Sequence, residues 1–283
     1  MDHKFFEKSE YQDLQKLYHH SPKNLHQLNH FNSGDTEIVK LKEDLFLTSS
    51  TDSIAIEIHS KLYRDPETWG YMAVANSVSD LAASGTKPIG ILISAQWAKA
   101  HNGVIKDQIY YAISKALQKF DVPLLGGDSG SSKATVLTTT ILGQSSTKPL
   151  DRVGIKPGDI VILLGRNFGY GPALAFDYLK NSSKAKLESM FRPSPNWQTI
   201  FKFRKFFKAS IDTSDGLYNS LITLAELNNV SFILEANHLK FSKIIQCYKN
   251  EFKIPIHYFI ESDLGDLQTC LVLDSFIYKI NDK

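Results

Sequence analysis

From about residue 44 onward, hydrophobic and polar positions along this chain alternate between strand-like and helix-like stretches. Residues 45–49 read as a strand. Residues 69–84 are rich in small and apolar side chains and stop at Gly85, a helix C-terminal signal. The run 88–95 (PIGILISA) is short, apolar and β-branched, which predicts a buried strand. Over 106–120, Ile109, Ile113, Ala116, Leu117 and Phe120 recur at helical spacing and define one apolar face. A short strand over 122–125 leads into Gly126-Gly127-Asp128, and 135–142 (TVLTTTIL) is another strand, closed by Gly143.

The polar, Pro- and Gly-containing stretch 144–158 has the composition of a linker. It divides the chain into an N-terminal extension (1–30), a first domain (31–147) and a second domain (148–283). The second half restarts with a strand over 159–164 and a glycine turn. Helices over 172–180, 195–208 and 216–228 follow, with strands over 230–235 and 269–273. Short strands mixed with helices in both halves predict two α+β domains. The first thirty residues are polar and carry His19, His20, His26 and His30 at no regular ligand spacing, so they read as a solvated arm.

Composition narrows the classes. The chain has 283 residues, 42% of them hydrophobic, enough to build a real core and to exclude a disordered chain. Lys+Arg 32 against Asp+Glu 30 leaves +2, so no global field calls for a polyanionic partner such as nucleic acid. The basic-aromatic run 201–208 (FKFRKFFK) reads as an amphipathic helix, with Ile200, Phe203 and Phe207 inward and Lys202, Lys205 and Lys208 solvated. Cys247 and Cys270 form no CxxC pair and no disulfide framework, which points to a reducing, cytoplasmic setting. The start is too charged for a signal peptide, and no apolar run is long enough to span a bilayer.

Most nucleotide-site fingerprints are missing. The glycine-dense turn Gly165-Arg-Asn-Phe-Gly169-Tyr-Gly171 fits neither GxGxxG nor GxxxxGK[ST], and the chain holds no GxSxG or HExxH. Aspartates set among Gly, Ser and Thr carry more information: Asp35, Asp52, Asp80, Asp128, Asp212 and Asp215. Each puts a short carboxylate on tightly turned backbone. Singly, each is an ordinary turn or N-cap residue. Converging, they would hold Mg²⁺, which takes a few carboxylates and leaves its other positions for phosphate oxygens and water.

Six segments, in the same order and at similar spacing, give the chain a resemblance to the thiamine-monophosphate kinase family. They are STDSIAIEIH (50–59), SVSDLAASGTKP (77–88), LLGGDSGSSKATVLTTTILGQ (124–144), RVGIKPGD (152–159), FRPSP (191–195) and IDTSDGL (211–217). That family lies in the aminoimidazole-ribonucleotide-synthetase-like superfamily, and the resemblance covers roughly residues 33–273. It implies that superfamily's two-domain α+β fold: a mixed or antiparallel N-terminal sheet with helices, and here a shortened C-terminal α/β sandwich. It also implies ATP and Mg²⁺ as cofactors and a homodimer formed through the N-terminal sheets. By matching positions, Asp35, Asp52, Asp80, Asp128 and Asp215 would be metal ligands assisted by Thr51. Gly126, Gly127, Arg152 and Ser214 would contact the nucleotide. Asp215 and Asp212 would line the phosphoryl-transfer pocket, with His59 near the acceptor.

Departures from the family pattern shape the functional expectation. The usual GDD is Gly34-Asp35-Thr36, so one carboxylate has become a hydroxyl. The usual Asn-Leu-Ser-Asp is Ser77-Val78-Ser79-Asp80, with an asparagine one place earlier at Asn76. The family's late Gly-Gly-Glu-Asp-Tyr-Glu-Leu is replaced over 263–269, where Asp266 is retained, and its terminal segment is missing. The nucleotide side is thus better kept than the acceptor side. The leading expectation is an ATP/Mg²⁺ phosphoryl-transfer enzyme with another small-molecule acceptor, activating a carboxylate or carbonyl oxygen for amide or ring formation. A partner enzyme of the same pathway is compatible with it. The alternatives are a genuine thiamine-monophosphate kinase and a catalytically reduced gatekeeper.

Overall fold

The computed structural model describes residues 9–101, 103–180 and 185–274. A helix, α1 (Ser9–His20), precedes two antiparallel strands, β1 (Glu37–Lys42) and β2 (Leu45–Ile54). Next come a short turn of helix, α2 (Ile56–His59), the long helix α3 (Pro66–Ser84) and strand β3 (Lys87–Ala98). Helix α4 (Gly103–Phe120) connects to β4 (Leu124–Ser132) and β5 (Val136–Ser145). The sheet order is β1-β2-β5-β3-β4, antiparallel except for β3 beside β4. That parallel pair needs a crossover, and α4 supplies it.

Helix α3 is the centre of the molecule. Asp65 caps its first turn by accepting from Glu67 N at 3.0 Å, Pro66 occupies the first helical position, and Gly85 closes it at φ 65°. Fifteen of its 19 residues are buried, so it is apolar nearly all round, as a helix packed on every side must be. One flank lies on β2 and β5, another on α4, and a third on the C-terminal half. The five residues expected to face inward on α4 are all buried.

The second half contains β6 (Ile160–Leu164), α5 (Tyr170–Leu179), α6 (Ala185–Met190), α7 (Trp197–Phe203) and β7 (Phe207–Asp212). It ends with α8 (Leu217–Asn228), α9 (Lys243–Phe252), α10 (His257–Ile260) and β8 (Thr269–Leu273). The three strands form an antiparallel sheet in the order β6-β8-β7. One apolar cluster runs from Ile54 through α3 to Leu271 and joins the halves, and a second sits between this sheet and α8. No helix among the described residues is long and apolar enough to cross a membrane.

The mixed α+β architecture matches the expectation, but four local readings need correction. The expected helix over 195–208 stops at Phe203, and Phe207 and Lys208 belong to β7 because the edge of β8 takes up their backbone groups. Phe203 is accordingly exposed, while Ile200 is buried. Residues 230–235 find no ladder partner and form no strand. The short strand expected over 122–125 is displaced: β4 starts at Leu124 and carries Gly126, Gly127 and Asp128 within it. Lastly, the N-terminal arm is not wholly solvated. Leu28 N donates to Ile38 O at 2.9 Å, Lys40 N to His26 O at 2.9 Å, and the buried Asn29 side chain brackets Thr36 O and Ile38 N.

Candidate active site

Three segments meet toward the C-terminal end of α3. The turn before β1 brings Asp35, α3 brings Asp80, and the end of β7 brings Asp212. One carboxylate oxygen from each lies within 4.8 Å of the other two. Serine hydroxyls from β2, α3 and the turn after β7 orient two of them. Ser79 Oγ donates to Asp212 Oδ2 at 2.6 Å, Ser50 Oγ to Asp80, and Ser214 Oγ to the other oxygen of Asp212 at 2.9 Å. Arg152 closes one side, donating from Nη2 to Asp35 Oδ1 at 2.8 Å and from Nη1 to Asn32 Oδ1 at 2.8 Å.

Three carboxylates so close repel one another, and Asp80 and Asp212 are pushed toward the protonated form. Burial first, then Asp52, Asp212 and Asp35, push Asp80 well above the usual carboxylate range. Asp212 is pushed up to about 7, by burial first and by Asp35 next. Burial alone would lower Arg152, but the charges of Asp35, Asp212 and Asp80 outweigh it and hold the guanidinium firmly protonated. One arginine against three aspartates leaves excess negative charge, which a divalent cation would neutralise.

Unpartnered buried atoms point the same way. Thr36 Oγ1, Asn76 Oδ1 and Glu57 Oε2 are buried oxygens without a hydrogen-bond partner, and Arg152 Nε is a buried donor without one. Asn76 stands one helical turn before Asp80, on the same face of α3. Hard oxygens on Asn76, one turn before Asp80, and on Thr36, next to Asp35, fit Mg²⁺, and a free guanidinium N–H fits a phosphate oxygen.

Not every expected residue joins this cluster. Asp52 lies on the helix-facing side of β2 and accepts from Ser77 Oγ at 3.0 Å. Thr51, its neighbour, faces away and pairs with Thr140 at 3.0 Å. Asp128 is exposed and sits in register with Ser94, between the inward-facing Ile93 and Ala95, so it lies on the opposite sheet face from Asp52. Three strand spacings, about 14 Å, also separate β4 from β2. Gly126 and Gly127 share that strand. Asp215 is exposed at the start of α8, and His59 is exposed at the end of α2.

Glu57 was not among the expected site residues. Burial raises its pKa, and the charges of Asp52 and Asp215 raise it further. A carboxylate five residues beyond Asp52 was the available signal. Ser50 and Ser79, each within two residues of an expected aspartate, were the other.

Known proteins agree with this architecture. Residues 33–145 match the family model of AIR synthase related protein, N-terminal domain. The chain is 28% identical over 209 residues to the thiamine-monophosphate kinase of Nitrosopumilus maritimus, a stretch covering 72% of this chain and 66% of that protein. It is also 28% identical over 257 residues to the enzyme of that name from Buchnera aphidicola subsp. Schizaphis graminum, covering 88% and 77%. Thiamine monophosphate kinase from Aquifex aeolicus superposes with a TM-score of 0.74 at 21% identity, covering 96% of this chain and 90% of that one. The chain spans about two thirds of the first of these relatives. Its fold is shared more distantly with Escherichia coli HypE, a hydrogenase maturation protein, at a TM-score of 0.68 and 14% identity over 95% of this chain and 84% of that one.

Proposed function

We propose that the chain is an ATP-dependent kinase that transfers the γ-phosphoryl group of ATP to the phosphate of thiamine phosphate. The observation that carries the ATP half is the Asp35–Asp80–Asp212 cluster with its unpartnered oxygens beside Arg152. The acceptor half rests on the relatives' shared name. The altered stretch around Asp266 motivated a different acceptor, and that expectation yields here to thiamine phosphate.

In this reading Asp35, Asp52, Asp80 and Asp212 hold Mg²⁺, with Thr36, Asn76 and Glu57 offering oxygens to the metal or its waters. Mg²⁺ neutralises charge on the nucleotide phosphates and on the group in transfer. Arg152 steadies the metal-binding Asp35 and offers Nε to a phosphate. Asp215 and Ser214 face the transferred group, and His59 lies on the acceptor side. Incubation with ATP, Mg²⁺ and thiamine phosphate is expected to yield the diphosphate with kcat/KM of about 10⁴ M⁻¹s⁻¹ or more. Magnesium-dependent ATP binding without diphosphate would overturn the acceptor and keep the nucleotide site.

We also propose a homodimer. The sheet exposes Ile89, Leu92, Leu124 and Leu125 along β3 and β4, and Leu92 lies on the face turned away from α3, in register with Thr140, beside the hydroxyls of Thr51, Ser53, Thr138 and Thr140. An apolar patch on a bare sheet face is a surface to be covered. Light scattering is expected to report about twice the 31.9 kDa chain mass, and Leu92→Asp to return the monomer. A wild-type monomer at all concentrations would end this reading. Such a face would also carry Asp128, Gly126 and Gly127 to the boundary between two copies.

A further inference from the structure

A cavity of about 460 Å³ opens between the glycine turn after β6, the connection from α6 to α7, and the segment leading into β8. It shares no residue with the carboxylate cluster. Arg166 and Arg192 line it, with Tyr170, Phe191, Asp266 and Gln268. Positive charge gathers here with little to balance it. Among the described residues Arg166 has no carboxylate partner, and the nearest carboxylate to Arg192 is Asp65, at 4.0 Å. A third cation, Lys119, donates to the Tyr71 hydroxyl, which donates in turn to Pro193 O at 2.5 Å. Burial, then Arg166 and Arg192, bring Lys119 down to about 8, so the three cations sense one another.

The one carboxylate in the lining is already engaged. Asp266 accepts from the backbone N–H groups of Gly169 and Gly171, the latter at 2.7 Å. Gln268 supplies the second, independent feature. Only 4% exposed, it donates from Nε2 to Arg166 O, while Oε1 is buried with no partner. A buried amide oxygen left unpaired costs free energy that a ligand N–H or O–H would recover.

We propose that this cavity binds the phosphate group of a small metabolite between Arg166 and Arg192, while Gln268 Oε1 accepts from an N–H or O–H of the same molecule. Arginine suits this role because its planar fork matches phosphate oxygens, and charge-assisted bonds are the stronger kind. Two sources share this chemistry: the phosphorylated acceptor, or a separate phosphorylated metabolite acting as a regulator. The site stands on the cavity, and only the first of these occupants rests on the kinase reading.

Calorimetry with glycerol 1-phosphate tests it, in EDTA so that the carboxylate cluster, stripped of metal, repels the probe. Saturable binding is expected at millimolar concentration. Arg166→Gln should weaken it at least tenfold, and Gln268→Leu severalfold. Arg166 is exposed, and no hydrogen bond or ion pair of its side chain is found among the described residues, so its substitution should leave the fold intact. Lys205→Gln, in the turn after α7, should change nothing and controls for general surface charge. Absence of saturable binding, or equal affinity in Arg166→Gln, would overturn the site. Repeating the titration with saturating thiamine phosphate separates the occupants: displacement assigns the cavity to the acceptor, and unchanged affinity assigns it to a second metabolite. Neither readout involves turnover, so this proposal and the kinase reading fail separately.

Discussion

Replacing Asp80 by asparagine is expected to raise the melting temperature of the metal-free protein and to abolish its stabilisation by Mg²⁺. The two effects have one origin. Asp80 sits on buried helix α3 with Asp35 and Asp212 within 4.8 Å, and burial and these neighbours raise its pKa well above the ordinary range. A group whose folded pKa is raised favours the folded state fully below its unfolded pKa, near 4, and loses that contribution as pH rises through the folded value. Asp212, pushed up to about 7, loses its contribution between about pH 4 and 7. Metal-free protein should therefore melt at lower temperature at pH 8 than at pH 5.

Mg²⁺ reverses that trend. At a hundred times its dissociation constant, a ligand that binds only the folded state adds about 2.7 kcal/mol. For a chain of this size that raises the melting temperature by about 5 °C or more. The gain should grow from pH 5 to pH 8. Asp80→Asn removes one charge from the cluster, which relieves the repulsion, and one ligand, which removes the gain. ATP turnover should fall at least a hundredfold, since losing one metal ligand costs about 3 kcal/mol of transition-state stabilisation. Scanning calorimetry at both pH values, with and without Mg²⁺, checks this. Equal responses to Mg²⁺ in wild type and variant would remove Asp80 from the metal site.

Much of this site was legible because its signal is local. Asp35, Asp80 and Asp212 each stand beside a glycine, serine or threonine, and the structure uses those neighbours: Ser79 and Ser214 donate to Asp212. Helix α3 was legible because Gly85 stops it and small residues let it be buried on every side. What was not legible depends on pairing. Asp52 and Asp128 look alike in sequence, yet register puts them on opposite faces of one sheet, and a register is set by distant strands. Phe207 and Lys208 continue a helical pattern, but the ladder with β8 outweighs local preference. Residues 230–235 have strand-like composition and no neighbour to pair with, and Ile233 there is 93% exposed.

Gly265→Ala should be the most destabilising of the single substitutions considered. Three loops stack backbone on backbone beneath the site: 165–171, 262–268 and 212–216. A Cβ on Gly265 would lie 1.6 Å from Thr213 O, and one on Gly171 would lie 2.1 Å from Gly265 O. The stack is also tied by hydrogen bonds, Gly265 N to Ser214 O at 3.0 Å and Thr213 N to Gln268 O at 2.8 Å. No side-chain rotation relieves a clash with a carbonyl held in this way, so the loops must separate. Overpacking of that kind, with the loss of buried backbone bonds, belongs to the class that costs about 4 kcal/mol or more. Gly103, at the start of α4, is the control. A Cβ there meets nothing within 4 Å, so Gly103→Ala should stay within about 1 kcal/mol of wild type and on the stabilising side. Chemical denaturation of both variants gives the comparison. If Gly265→Ala folds at low temperature, parting the loops must carry Asp212, Ser214 and Asp215 away from α3, and Mg²⁺ should no longer raise its melting temperature. A Gly265→Ala protein with wild-type stability and a wild-type response to Mg²⁺ would show that the stacked loops do not position the acidic cluster.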